Sequence, residues 1–182
     1  MPLSTIDPTP ALVVIDLQKG ILGLPTAHPV DEVLERAASL VDAFRTRDFP
    51  VVLVNVAGAA PGRTEAAAGG GALPDDWTEL ARELGEHPAD EKITKEAWGA
   101  FTGTQLHDSL RERGVTQVVL AGIATSIGVE STARSAHEHG YHVVLATDAM
   151  TDVDPESHDH SVSKIFPKLG ETASTDEILA AL

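Results

Sequence analysis

The chain of 182 residues contains no cysteine. That absence excludes disulfides, thiolate-held zinc or iron–sulfur clusters, and a cysteine nucleophile. Basic side chains are scarce too: 13 lysines and arginines stand against 28 acids, for a formal charge of −15 and a sequence pI near 4.7. Nucleic acid demands a basic footprint, so it is not an expected partner. No apolar run approaches the ~18 residues of a membrane span. Met1–Pro10 lacks a basic stretch followed by an apolar core, so no leader is expected and the expected compartment is the cytoplasm. No period of ~20–50 residues repeats, which excludes solenoids and propellers. What remains is a globular balance, 42% hydrophobic and 23% charged. The length favours one domain, 1–182, able to bury roughly 70% of its unfolded surface.

Six short β-branched or apolar runs recur: Ala11–Ile15, Val51–Val56, Lys92–Thr94, Gln117–Ala121, His142–Ala146 and a weaker one at Glu171–Ala173. Several are continuously apolar rather than alternating, the habit of strands buried on both faces of a parallel sheet. Between them, Val30, Val33, Leu34, Ala37, Val41 and Phe44 share one helical face, with Glu35, Arg36, Asp42 and Arg45 outside it. Leu106, Leu110 and Phe101 pattern a further helix that Gly114 would stop. Asp154 before Pro155 reads as a cap and first helical residue, and Ser174 with Glu177 as a capping box. Alternating strands and helices predict an α/β fold: a doubly wound three-layer sandwich around a six-stranded, mainly parallel sheet. The stretch Gly58–Leu73, rich in glycine and alanine, reads either as a connector or as an active-site lid.

Open α/β sheets bind ligands beyond the carboxyl ends of their strands. That rule selects Asp16 and Gln18, Asn55, Lys95, the segment Gly122–Gly128, and Asp148. Asp16 follows four apolar residues, where a carboxylate is costly unless paired or useful; a cap or an ion pair would also explain it. Lys95 taken alone reads as a solvated lysine. Gly122 and Gly128 have neither the lysine of a phosphate-binding loop nor dinucleotide spacing, so no nucleotide cofactor is expected. The pairs His137/His139 and His158/His160 are two apart, whereas zinc ligands on a helix stand three or four apart. Solvated surface histidines are therefore expected, with none beside Ser126. Trp98 and Phe101 read as core or as a wall for a flat substrate, and core is the plainer reading.

The order of three motifs, Ala11–Gln18 (ALVVIDLQ), Lys95–Phe101 (KEAWGAF) and Gly122–Ala133 (GIATSIGVESTA), resembles the isochorismatase-like cysteine hydrolase superfamily from about Thr9 to Leu182. The resemblance implies an Asp–Lys–Cys triad, with Asp16 and Lys95 as its first two members. It also implies a cis peptide between Ile123 and Ala124, and backbone amides around Ile123, Ala124 and Thr125 that hold a substrate oxygen. The cysteine position falls on Gly128, which has no side chain to act as nucleophile. Ser126 stands two positions early and would need a base. Where the nicotinamidase branch carries a metal-binding D-x-H, this chain reads Asn55-Val56-Ala57, so no metal is implied.

Isochorismatases within the superfamily also carry glycine at that position. They resemble this chain at Lys95, Trp98 and Gly99-Ala100-Phe101, and they cleave a vinyl ether without a covalent intermediate. By that resemblance Asp16 is the acid, Lys95 orients it, and Gln18, Asn55, Arg63, Trp98, Phe101 and the turn at Ile123, Ala124 and Thr125 bind a small-molecule substrate. Lys95 would lower the Asp16 pKa and burial would raise it; the sequence leaves that contest open. Two other readings stay open: a family scaffold that binds a small molecule or a protein without turnover, and an amidase using Ser126 or an activated water. The family also implies a homo-oligomer, most simply a symmetric dimer.

Overall fold

A computed structural model of the protein describes residues 3–65 and 73–182. Part of the glycine-rich stretch, residues 66–72, thus lies outside the described residues. Six strands, β1 (Pro10–Ile15), β2 (Val51–Val56), β3 (Glu91–Lys95), β4 (Gln117–Ile123), β5 (His142–Thr151) and β6 (Glu171–Ala173), form one sheet in the order β3-β2-β1-β4-β5-β6. All five pairings are parallel. Strand β1 lies between β2 and β4, so the direction of winding reverses beside its carboxyl end, where such sheets hold their ligands.

The strands bury both faces, which is why their sequences are apolar without interruption. Ala11, Val13, Ile15, Val52, Val54, Val118 and Leu120 face one core with Leu106, Leu110 and Ala133. Leu12, Val14, Val51, Leu53, Val119 and Ala121 face the other with Val33, Leu34, Ala37, Val41 and Phe44. Helix α2 (Val30–Thr46) supplies the second group, and the stripe expected from its sequence is the buried one apart from half-buried Val30. Helices α3 (Leu106–Glu112) and α4 (Glu130–Glu138) cover the opposite face. The short helices α1 (Lys19–Leu22), α5 (Pro155–His160), α6 (Phe166–Leu169) and α7 (Thr175–Ala181) complete the set. Among the described residues no helix is long and apolar enough to cross a membrane.

The end signals work as their chemistry requires. Asp154 accepts the N–H groups of Glu156 and Ser157 at the start of α5, and Ser174 and Glu177 form a reciprocal capping box on α7; each such cap contributes about 1 kcal/mol. Gly114 takes φ +67° beyond α3.

Two expectations need correction. Phe101 lies in the turn before α3, not on the helix, because α3 begins only at Leu106. Strand β5 does not stop at Ala146 but runs to Thr151, and its register with β4 shifts between Leu120 and Gly122. Asp148 is therefore inside the strand. It accepts the N–H and hydroxyl of Thr175 and pairs with Arg36 at 3.3 Å, tying α7 and α2 to the sheet. The residue that follows β5 is Asp152.

Candidate active site

Asp16 follows the last residue of β1 with φ +52°, a left-handed conformation that aspartate tolerates better than most residues. The turn leaves Asp16 as a whole 5% exposed. Lys95 is the last residue of β3, two strands away, a gap of roughly 10 Å at ordinary strand spacing. The long lysine stem and the aspartate close that gap over the end of β2: Lys95 Nζ donates to Asp16 Oδ2 at 2.7 Å and to the Ala97 carbonyl at 3.2 Å. Lys95 is 2% exposed. An ammonium has three protons, so one donor remains for a ligand. On the other side of the pair, Asp16 Oδ1 is buried with no hydrogen-bond partner among the described residues.

Burial is the stronger influence on Asp16. It raises the carboxyl pKa from 3.8 to about 6, against the lowering by the Lys95 charge and hydrogen bond. The contest that the sequence leaves open is decided by the depth of the strand end.

Residue 128 lies against the same carboxylate. A Cβ built on Gly128 would stand 3.2 Å from Asp16 Oδ2, 3.0 Å from Ile15 Cγ2 and 3.5 Å from the Ile123 carbonyl oxygen. A side chain here would thus press on the Asp16–Lys95 pair, and the contacts with Ile15 and Asp16 are closer than ordinary van der Waals distance, so the packing of this turn against the end of β1 favours glycine. Gly122, by contrast, is required by the backbone: its φ is +123°, and a Cβ would come within 2.0 Å of the Ile15 carbonyl oxygen.

The peptide between Ile123 and Ala124 is cis. Beyond it Thr125–Val129 forms a π-helical turn leading into α4. The turn's amides do not all point toward Asp16, because the Ser126 N–H donates to Asp152 Oδ2 at 2.7 Å. Buried Asp152 also accepts from the N–H groups of Val153 and Asp154. On the neighbouring residue, the Thr125 hydroxyl meets His158 Nδ1 at 2.8 Å.

Other sequence-selected residues go elsewhere. Gln18 is fully buried and already engaged: its Oε1 accepts the Val56 N–H at 2.7 Å, and its Nε2 donates to the carbonyls of Val56 and Trp77. It clamps β2 to the segment carrying Trp77, and its polar atoms face no open space. Asn55 donates to the Thr78 carbonyl and lines a cavity with Arg82 and Lys92. Its place in the β2 alternation sets it on the sheet face opposite Lys95. Phe101 is core: its ring lies 5.3 Å from His139 and 6.0 Å from Tyr141, beside the amino end of β5 and away from Asp16. Trp98 departs from the core reading in the other direction, being 59% exposed. Arg63 is exposed in the loop after β2.

Three residues were missed. Asp152 was hidden because β5 outruns its apolar stretch. The two-residue spacing of His158 from His160 predicts a surface histidine, yet it is 7% exposed; the Asp154 cap starts its helix but carries no information on what that helix packs against. Trp77, in no motif, donates its indole N–H to the Val56 carbonyl and lies over Gly20, whose Cβ would collide with the ring. No group of three or more metal-binding side chains converges among the described residues.

The Isochorismatase domain model matches residues 10–177. The chain is 45% identical over 179 residues to an uncharacterized isochorismatase family protein of Bacillus subtilis, covering 93% of this chain and 92% of that one. An isochorismatase family protein from Burkholderia thailandensis superposes with a TM-score of 0.93 at 43% identity, over 98% and 97% of the two chains. N-carbamoylsarcosine amidase from Thermoplasma acidophilum superposes at 0.77 with 28% identity, over 92% and 97%. With the fold in place and these matches spanning nearly the whole of it, the chain belongs to the isochorismatase family of hydrolases.

Proposed function

We propose that the protein hydrolyses a small vinyl ether of the isochorismate type by acid catalysis at Asp16, without a covalent enzyme intermediate. The observation that carries this reading is the buried carboxyl of Asp16. It has one oxygen held by Lys95, one oxygen uncommitted, a pKa near 6, and no side chain at residue 128.

Protonated Asp16 delivers its proton to the methylene carbon of the enol ether, and the positive charge that develops is shared with the ether oxygen as an oxocarbenium ion. Water adds to the carbon that bears the ether oxygen and returns a proton to the Asp16 carboxylate. The resulting hemiketal then collapses to a ketone and an alcohol. A pKa of about 6 suits the step, because a group that titrates near the working pH serves both as donor and as recipient. Lys95 holds Asp16 in place and offers its remaining proton to a substrate oxygen. The turn at Ile123, Ala124 and Thr125, exposed Trp98 and Arg63 are the proposed substrate-facing positions.

Ser126 is a weak candidate nucleophile. Its backbone is committed to Asp152, and the nearest buried imidazole, His158, is engaged by Thr125.

The test is turnover of isochorismate by the wild type and by Asp16→Asn, with a panel of small amides alongside. The reading expects isochorismate cleavage that rises as the pH falls toward 6. A rate that instead falls with protonation of Asp16 makes its ionised form a base toward water, to be read on the amide panel. No turnover, with a ligand still bound at this pair, leaves a binding scaffold and overturns the hydrolytic reading.

A further inference from the structure

We propose that His158 is a positioning residue for the turn beside the active site, accepting the Thr125 hydroxyl proton at Nδ1 while Asp152 holds the Ser126 N–H. Its effect on catalysis rests on the function proposed above; the hold on the turn does not.

Thr125 is fully buried, and the side-chain hydrogen bond it makes among the described residues is to His158 Nδ1. A buried hydroxyl left without an acceptor is costly, because the hydrogen bond it gave to water is not replaced. The Thr125 proton therefore goes to Nδ1, and the neutral ring carries its own proton on Nε2. Both anchors of the turn come from one short stretch, Asp152 at the end of β5 and His158 on α5. The cap at Asp154 starts that helix and so sets where the imidazole falls.

A second imidazole guards the first. The His28 ring meets His158 edge-on with centroids 4.6 Å apart, and the residue is itself tied to the Thr151 hydroxyl through its backbone N–H and its ring Nδ1. Burial, then the His28 ring, hold His158 below the ordinary histidine range, against weaker pulls from Asp159 and Asp152. The other charged groups around it are Glu32 and Arg36 on α2 and Asp148 in β5, which share a cavity of about 380 Å³ with both imidazoles. Glu130 on α4 is tied to Ser161 just beyond α5. Near neutral pH the arrangement keeps His158 an acceptor. A proton on Nδ1 reverses the hydrogen bond and releases the Thr125 hydroxyl proton to a new acceptor.

The test is NMR of the ¹⁵N-labelled protein without substrate. In the wild type, neutral His158 should show the Nε2–H tautomer, and the amides of residues 124–126 should titrate with the midpoint of the His158 ring. His158→Gln, whose amide oxygen can accept from Thr125, should keep their neutral-pH positions and abolish that titration, while any component from Asp16 persists. His158→Leu, with no acceptor, should displace these amides at every pH. Thr125→Val should raise the His158 midpoint, because a hydrogen bond to the neutral ring is lost; this arm serves even if the His158 variants do not fold. An Nδ1–H tautomer, an unchanged titration in His158→Gln, or an unchanged midpoint in Thr125→Val would each overturn the proposal.

Where isochorismate is turned over, His158→Leu should lower kcat at least tenfold with little change in KM, and His158→Gln should restore most of it. A wild type inactive on isochorismate strikes the proposed reaction and leaves the NMR outcomes standing.

Discussion

Two buried ion pairs lie at opposite ends of the same sheet, and they are built differently. At the amino end of β3, Arg45 grips Asp90 with two bonds, Nη2 to Oδ2 at 2.6 Å and Nε to Oδ1 at 3.3 Å, and both carboxylate oxygens are used. At the carboxyl end, Lys95 holds a single oxygen of Asp16 and leaves the other bare. The aspartates are comparably buried, with side chains 1% and 7% exposed. Burial alone therefore does not mark the functional pair. A bidentate arginine closes a carboxylate, whereas a lysine, a point charge on a flexible stem, leaves one face of it open. Desolvation that is only half compensated is costly to stability, and it is also what keeps an acid poised to react.

Breaking each pair should separate the two roles. The largest effect is expected from Asp16→Asn, which keeps the shape and removes the proton: turnover should drop by roughly 10²–10⁴. Asp90→Asn, assayed beside it, should leave kcat near that of the wild type. Equal losses of turnover in both variants would erase the distinction between the pairs.

Stability should show the reverse emphasis at the amino end. Asp90→Asn leaves the Arg45 charge with a looser contact to exposed Asp42 at 3.8 Å; breaking a buried pair ordinarily costs about 3–5 kcal/mol, or roughly 10 °C in Tm. The lower end is expected because Arg45 retains some contact with water, its side chain being 14% exposed. Thermal unfolding followed by circular dichroism measures it.

The pH dependence sharpens the comparison further. Because the Asp16 pKa is raised from 3.8 to about 6, the folded protein holds that proton more tightly than the unfolded chain between those values. Its contribution to stability is thus fully present below pH 3.8 and lost as the pH rises through 6, a change of about 3 kcal/mol. Urea titrations at pH 4 and pH 7 should show the stability difference between wild type and Asp16→Asn moving toward the variant by up to that amount. A difference independent of pH would place Asp16 in an environment like that of an ordinary carboxylate.

The smallest effect is expected at residue 128. Gly128→Ala brings a methyl group to within 3.0 Å of Ile15 Cγ2 and 3.2 Å of Asp16 Oδ2. That overpacking should cost about 1–3 kcal/mol and press on the oxygen of Asp16 that Lys95 holds, so activity should fall further than stability predicts. Gly128→Cys should make the protein sensitive to iodoacetamide, to which the cysteine-free wild type is indifferent. Resistance of the folded Gly128→Cys variant to alkylation would show the position closed to reagents.

Much was written in the sequence. Unbroken apolar runs required strands buried on both faces, the stripe on α2 chose its inner side, and Asp154, Ser174 and Gly114 punctuated the helices as their backbone chemistry demands. Asp16 and Lys95 could be selected because strand ends in such sheets face the ligand, and an acid after four apolar residues needs a reason. Local chemistry determined these things, since caps, turns and strand burial depend on neighbours a few residues away.

Only the tertiary structure decided the rest. It drew Gln18 into a backbone clamp, placed Asn55 on the far sheet face and Phe101 in the core, and left Trp98 in solvent. It brought His158 onto Thr125, and set burial above the lysine charge at Asp16. Each of these outcomes depends on how deeply an atom is buried and on which distant element lies against it. Neither the spacing of residues along the chain nor their identity carries that information, because desolvation and hydrogen-bond partnership arise only when separate segments pack together.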